Sequence, residues 1–441
     1  MPDVRDLEGG SILGSTSPSS LAKESDHDAP SLPVDAFGDE SNSDLLVMVA
    51  ESISLGVLSL PAAVATLGLL PAVLLIVVVG IISTYAGYVL GQFKWRYPHV
   101  SNMADVGEVL LGPFGRELLS VAQTLFLIFL MGSHLLTFTV ALNNISRHAT
   151  CSIVFSIVGL VVSFICSLPR TLENISFLSF FSFLSIVAAV FITLVDVVIT
   201  KPGTGLEVTT ETSFYRGFSA VSNIIFSFSG HIGFFGFMAE LKDPRDFPKA
   251  LYMVQGTEVV IYIVAGVVIY LYAGADVASP ALGSASPIVS KIAYGIAIPA
   301  IVTGGVVVGH VASKLIYMRL LRMTDRMHKR DFLSIGTWVG IMLTLWSLAW
   351  IIAEAIPLFS DMLTLICALF ASWFSYSLCG LCWLFINKGQ YFETWKKSLL
   401  TVVNFTLIGM GCCICGCGVY VAGKAIHDQP AGSSFSCANK A

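Results

Sequence analysis

Two stretches inside long apolar runs hold residues that lipid does not favour. Ser227 to Phe237 reads SFSGHIGFFGF, and Glu51 to Ala63 reads ESISLGVLSLPAA. In hydrocarbon every backbone N–H and C=O needs a partner, so a turn loosened by small residues or proline exposes groups that must be satisfied. One reading of such a turn is close helix packing over glycine. The other is a broken helix whose opened backbone binds a ligand. The first break is the turn of Ser54, Gly56 and Ser59 before Pro61. A helix restarting there offers free N–H groups and the positive end of its dipole near Gly56, Val57 and Leu58, which stabilise a carboxylate. A helix stopping at the second break leaves the carbonyls of Phe226, Ser227, Phe228 and Ser229, beside Gly230, to accept from an ammonium group. Together the breaks are expected to read a zwitterion, the shared part of an amino acid. Phe226, Phe228 and Phe234 supply an apolar wall; each has an ordinary alternative as core or lipid-facing residue in a chain with 29 phenylalanines.

Ionisable residues within apolar spans are costly and point to function. Glu51, one turn before the first break, His231 beside Gly230, and His310 one turn from Lys314 are the candidates for carrying a proton. Each has a structural reading too: Glu51 facing water, His231 holding the break open by hydrogen bonds, His310 a bystander to a snorkelling Lys314. Glu258 and His134 are weaker candidates. Thr303 and the Gly304-Gly305 backbone could supply oxygen ligands to sodium, so the residues alone leave proton and sodium both open. The cluster GCCICGCG contains Cys412-x-x-Cys415 but has no histidine or second pair at zinc spacing, so it reads as small-residue helix packing and no metal or cofactor is expected. The ten cysteines suggest no disulfide framework. HExxH, GxSxG and Walker A motifs are all missing, which argues against an enzyme and against ATP-driven work.

These residues need elements to hold them. The 441-residue chain is 55% hydrophobic and only 12% charged, about half the charge of an ordinary soluble chain. Its continuous apolar runs predict an all-α polytopic membrane protein rather than a barrel of alternating strands. Eleven spans are expected, near 45–66, 69–92, 117–142, 151–168, 175–199, 216–239, 250–274, 287–312, 333–353, 357–386 and 398–421. Residues 1–44 carry ten acidic residues against Arg5 and Lys23 and read as a disordered acidic tail without the features of a cleavable signal. That tail holds −8 of the net −5, leaving +3 for the remainder. With the N-terminus in the cytoplasm, 16 basic residues fall on the inner joints and 6 on the outer side, a positive-inside bias.

GVLSLPAAVATLGLLP and SGHIGFFGFMAELKDPRDFPKAL resemble the amino acid/auxin permease family, and are most similar to its fungal neutral amino-acid permeases. The resemblance runs from Ser43 to about residue 420. Its most specific parts are Ser54–Pro61, Gly230-His231 and Glu240 to Lys249. It implies the leucine-transporter fold: five helices over 45–200, five inverted helices over 214–390, an eleventh at 398–421 and a short tail at 422–441, with helices 1 and 6 broken. It also implies proton-coupled symport of neutral amino acids by alternating access, with the amino acid, the proton and the bilayer as partners and no nucleic acid. A plasma-membrane protein with a cytoplasmic N-terminus is expected first and a vacuolar one second. A vacuolar exporter of the same family and a non-transporting amino-acid sensor share these residues and stay open.

Overall fold

A computed structural model of the chain describes residues 53, 55–170, 175–201, 207–241, 243–321, 331–428 and 434–440. Ser54 and Glu51 lie outside the described residues. A 3-10 turn, Gly56–Leu58, opens into α1 (Leu60–Leu67), and the chain turns at Gly68 into α2 (Leu69–Arg96). Next come α3 (Met103–Ser146), α4 (Ser152–Ser167) and α5 (Ile175–Thr200). Then α6 (Phe214–Ser227) stops, a 3-10 turn crosses Gly230–Gly233, and α7 (Phe234–Glu240) resumes. The rest is α8 (Phe247–Ala273), α9 (Pro287–Leu321), α10 (Phe332–Ala355), a rod of α11 (Phe359–Ile366), a π-helical stretch (Cys367–Ser377) and α12 (Leu378–Ile386), and α13 (Trp395–Asp428). Among the described residues there is no strand.

Nine helical stretches of the described residues are long and apolar enough to cross a bilayer. The sequence predicts eleven spans. The other two are the interrupted limb around Gly56–Leu67 and α4, which has 16 residues and measures about 24 Å at 1.5 Å per residue, short of a ~30 Å hydrocarbon core. Apolar residues face outward as well as inward, as lipid requires. On α2, Leu70, Leu74, Val78 and Ile81 are exposed along one side while Ala72, Ile76, Val79, Ala86 and Leu90 are buried on the other.

Capping explains several helix starts that hydropathy does not mark. The Asn102 side chain accepts from the Asp105 N–H at 3.1 Å, so α3 begins at Met103, well before the apolar run that starts near 117. Asp331 caps α10 in the same way, accepting from the Ser334 N–H at 3.0 Å. Pro113 and the non-helical Gly112 kink α3.

The helices form two packed groups. In one, α3 and α9 pair closely, with α5 against α9 and with α4 and α10 against both. In the other, α1 packs on α6 and α8, α2 on α8 and α12, and α6 on α11. α13 lies against the π stretch, where its Gly411 and Gly418 meet Ser377 and Ala368. Cys412 and Cys413 point outward from that contact, and among the described residues no cluster could hold a metal.

One cysteine expectation is overturned. Cys151, at the start of α4, and Cys437, near the C-terminus, form a disulfide across 286 residues. The segment 434–440 is a strap over the ends of α4 and α10. Ser434 Oγ donates to the Ala355 carbonyl at 2.9 Å, the Phe435 N–H to the Glu354 carbonyl at 3.1 Å, and Ser152 Oγ to the Ala438 carbonyl at 2.5 Å. Lys440 Nζ sits 2.7 Å from Glu354 Oε2, with both side chains buried. Sequence spacing carries no signal for this pairing, because the tail reaches Cys151 only after the helices between them have packed.

Candidate functional site

The two breaks touch. A Cβ placed on Gly56 would lie 2.8 Å from the Ser227 Cα, inside the contact limit of any real side chain. Glycine at 56 is therefore required by the close approach of one break to the other. In the first break the Leu58 N–H already donates to the Leu55 carbonyl at 3.1 Å, and the Ser59 N–H to Gly56 at 3.1 Å. The amides of Gly56 and Val57 make no such bond to a described residue, and they stand at the start of the restarting helix, where N–H groups lack intrahelical partners.

The second break has fewer free carbonyls than its sequence suggests. Phe226 O accepts from the Ser229 N–H at 3.0 Å and from Ser229 Oγ at 2.5 Å. Ser227 O accepts from the Tyr262 hydroxyl at 2.9 Å. Phe228 O receives Ser83 Oγ at 3.4 Å. A helix that ends in lipid depth must satisfy these groups, and α8 and α2 do so with Tyr262 and Ser83. Ser227 O and Phe228 O each accept one such bond and keep a second lone pair, so the break can still accept from a ligand there, whereas Phe226 O already has two donors. Tyr262→Phe is expected to unpair Ser227 O and weaken ligand binding at the break roughly five- to tenfold, the worth of one hydrogen bond. Binding of a labelled amino acid to the purified protein measures it; an unchanged affinity means the break needs no such tie.

His231 is fully buried behind the break. Its Nε2 lies 3.0 Å from the Ser83 carbonyl. A carbonyl only accepts, so Nε2 carries the hydrogen, and Nδ1 is left without a partner among the described residues. Tyr376, on the π stretch, places its hydroxyl 3.3 Å from Ser83 Oγ. Ser83 thus joins His231, Phe228 and Tyr376. π-helical turns often mark functional positions because they displace side chains from the regular register, and here the stretch delivers Tyr376 to the back of the break.

In front of the breaks is a cavity of about 230 Å³, the size of one small molecule and below the ~300–1,000 Å³ of drug-sized pockets. Of the sequence candidates, Gly56, Phe226, Ser227, Ser229 and Gly230 line it. Val57, Leu58 and Phe228 are buried beside it and His231 behind it, and Phe234 is packed under it against Phe247. His310 lies off the cavity, its ring 5.5 Å from that of Trp338. Glu258 is elsewhere too, bonded to Gln255 at 2.8 Å.

The opposite wall comes from α3, α5 and α9. Gln123, His134, Ser179, Ser182, Thr303 and Gly304 are its polar or small members. Apart from His134, Thr303 and Gly304, sequence reading passes over this wall. A polar amide in a span is the signal that could have found Gln123; which face of a long apolar helix meets the breaks depends on packing. Gly304 is the close-contact point here: a Cβ on it would lie 2.4 Å from His134 Cε1. Among the described residues no carboxylate, lysine or arginine lines the cavity.

The chain is similar in sequence to known transport proteins. The N amino acid transport system protein of Neurospora crassa is 36% identical over 408 residues, covering 89% of this chain and 87% of that one. A transmembrane transporter of Gibberella moniliformis is 30% identical over 383 residues, 83% of this chain and 81% of its own. The amino acid transporter AVT1H of Arabidopsis thaliana is 29% identical over 256 residues, 54% of this chain and 58% of that one. Residues 42–423 match the profile of the transmembrane amino acid transporter protein family. A membrane-embedded helical chain whose two broken segments meet at an amino-acid-sized cavity, and which matches that profile along most of its length, belongs to the transmembrane amino acid transporter family.

Proposed function

We propose that the protein is a secondary active transporter that carries neutral amino acids together with a proton by alternating access. The observation that carries this reading is the apposition of two broken helical segments at one cavity without a charged wall. The Gly56 and Val57 amides hold the substrate carboxylate and the break at 226–230 the ammonium group. The fold we infer is the leucine-transporter arrangement, with repeats over 45–200 and 214–390 and α13 added. The relative from Neurospora crassa is named as an amino acid transport system protein, which supports the substrate class.

The cavity has a direction. From the breaks it runs past Leu130, Leu127 and Gln123 on α3, Val307 and Val311 on α9, and Phe237 on α7. All of these lie toward the helix ends that carry Arg96, Arg116, Arg170 and Arg319. Toward the other end, Asn223 donates to Ser360 at 2.6 Å and Ser219 pairs with Thr364 at 2.8 Å, joining α6 to α11. The positive-inside rule makes the arginine-rich end cytoplasmic, and the disulfide lies at the opposite end, as an oxidising compartment favours. We therefore read this conformation as inward-facing, in a plasma-membrane protein with its N-terminus in the cytoplasm.

One proton is energetically sufficient. A unit charge gains about 2.3 kcal/mol per 100 mV, so each 100 mV supports roughly a fiftyfold accumulation. In vesicles with an imposed pH gradient, labelled neutral aliphatic and aromatic amino acids are expected to accumulate and to compete with one another, with arginine and glutamate competing at least tenfold less. Uptake indifferent to the gradient overturns the symport reading. Preference for arginine or glutamate overturns the neutral one.

A further inference from the structure

Resting on the symport reading, we propose that His134 is the group that carries the coupling proton. Among the described residues it is the only titratable side chain lining the cavity. Its geometry leaves one nitrogen committed and one open. Nδ1 lies 2.9 Å from the Ile301 carbonyl of α9, so Nδ1 carries a hydrogen and donates it. Nε2 then holds a lone pair, and it is not among the sealed, partnerless polar atoms of the interior. His231 has the reverse arrangement: its Nε2 is committed to Ser83, and its open Nδ1 is sealed behind the break. A proton arriving through the cavity reaches the open nitrogen of His134 and not that of His231.

The helices around the ring are built for it. Gly304 and Gly305 clear the space, since a Cβ on either would fall 2.4 Å from Cε1 or 3.1 Å from Cβ of His134. No neighbouring element presents a second titratable group to it among the described residues. α5 offers Ser179, Ser182 and Ile186, α9 offers Thr303, α10 offers Trp346 at Gly305, the π stretch turns Phe370 and Phe374 to Phe126, and the break offers Ser227 and Ser229. His310, farther along α9, turns to Trp338.

The cavity also supplies a route. Gln123 is eleven residues before His134 on α3, about 16 Å along the axis and on the same face. Its Oε1 is buried and has no partner among the described residues, although the residue lines the cavity. That oxygen is sealed from the cavity as Nδ1 of His231 is, so the route is the limb itself, which runs from His134 past Leu130, Leu127 and Gln123 toward the arginine-rich end.

The proton step makes and breaks one bond. Hydronium in the outward-open state gives one proton to Nε2: its O–H bond breaks, an N–H bond forms, and water and an imidazolium result. In the inward-open state that bond breaks and the proton returns to water on the cytoplasmic side. No electron moves. An imidazolium alone in an apolar cavity is costly, and the lining offers it no carboxylate. The carboxylate of the bound zwitterion is the countercharge that makes it favourable. Substrate and proton therefore raise each other's affinity, which is the reciprocity that coupling requires.

The test is His134→Gln, whose amide can keep a donor toward Ile301 and an acceptor toward the cavity but cannot titrate. In proteoliposomes with a one-unit pH gradient and no membrane potential, wild type is expected to concentrate a neutral amino acid up to about tenfold. The variant is expected to reach a ratio of about one while exchange of internal for external substrate remains measurable. A variant that concentrates substrate as wild type does overturns the assignment to His134. Wild-type protein that ignores the gradient removes the symport reading itself. A second measurement uses the wild-type full chain, ¹⁵N-histidine-labelled in lipid nanodiscs, with the His134 signal assigned through whichever of His134→Gln and His134→Asn folds. The expected spectrum is a neutral Nδ1–H ring without substrate and an imidazolium at the same pH with saturating substrate. A ring that stays neutral with substrate bound overturns the inference.

Discussion

Leucine in place of Gly56 is expected to abolish amino-acid uptake in a protein that still reaches its membrane. The reason lies in one contact. The Gly56 backbone faces the Ser227 backbone so closely that even an alanine Cβ would sit 2.8 Å from the Ser227 Cα and 2.9 Å from its Cβ. A flexible side chain could move aside; a Cα in the middle of a helix break cannot. Ser227 is held from two further sides, by its Oγ on the Asn223 carbonyl at 2.9 Å and by Tyr262 on its own carbonyl. Relief must come from separating the two breaks, which pulls apart the groups proposed to hold the substrate's carboxylate and ammonium ends. Overpacking of this kind costs about 1–3 kcal/mol for a small side chain, so Gly56→Ala is expected to weaken substrate binding roughly ten- to a hundredfold. Leucine adds three more carbons to the same space and leaves no measurable transport. Uptake normalised to surface abundance decides it, and wild-type transport by Gly56→Leu would refute the apposition of the breaks.

The contact also shows where sequence reading stops. Small residues in apolar runs at Gly56 and Gly230 mark two breaks in a membrane chain, and the structure has a 3-10 turn at each. That much is local, because a loosened helix is written in its own residues. What the breaks face is not local. Phe226 and Ser229 line the cavity whereas Phe228, between them, is buried away from it. That division depends on the backbone path through the turn. The carbonyls of Ser227 and Phe228 look free in sequence and are occupied by Tyr262 and Ser83, residues 35 and 145 positions away. The π stretch at Cys367–Ser377 has the hydropathy of any buried helix, so nothing in its composition separates it from an α-helix. The far wall of the cavity is the largest omission. α3 and α9 present Gln123, His134 and Thr303 to the breaks only because the two helices pack along their length.

Lysine 440 replaced by methionine is expected to destabilise the folded protein by about 3–5 kcal/mol, the loss that follows when one partner of a buried ion pair is removed. Glu354 is fully buried at the end of α10, and Lys440 is 3% exposed. Only Oε2 of the carboxylate meets the ammonium group; Oε1 has no partner among the described residues. With Lys440 gone, the buried carboxylate has no donor left to either oxygen among the described residues. The double change Lys440→Met with Glu354→Gln removes both charges, and it should recover most of the loss because the desolvation cost leaves with them. Thermal unfolding in detergent, followed by the near-ultraviolet signal, measures both variants against wild type. The single change should melt far below the double one. Equal melting of the two would mean that the pair is solvated and that the strap is held by its disulfide and backbone bonds. Those bonds run to α4 and α10, which pack on α3 and α9. On the transport cycle proposed above, a strap that ties these helices at one end leaves the other group, α1 with α6 and α8, as the part that moves. Breaking the ion pair should therefore lower the melting temperature more than it changes the KM for substrate.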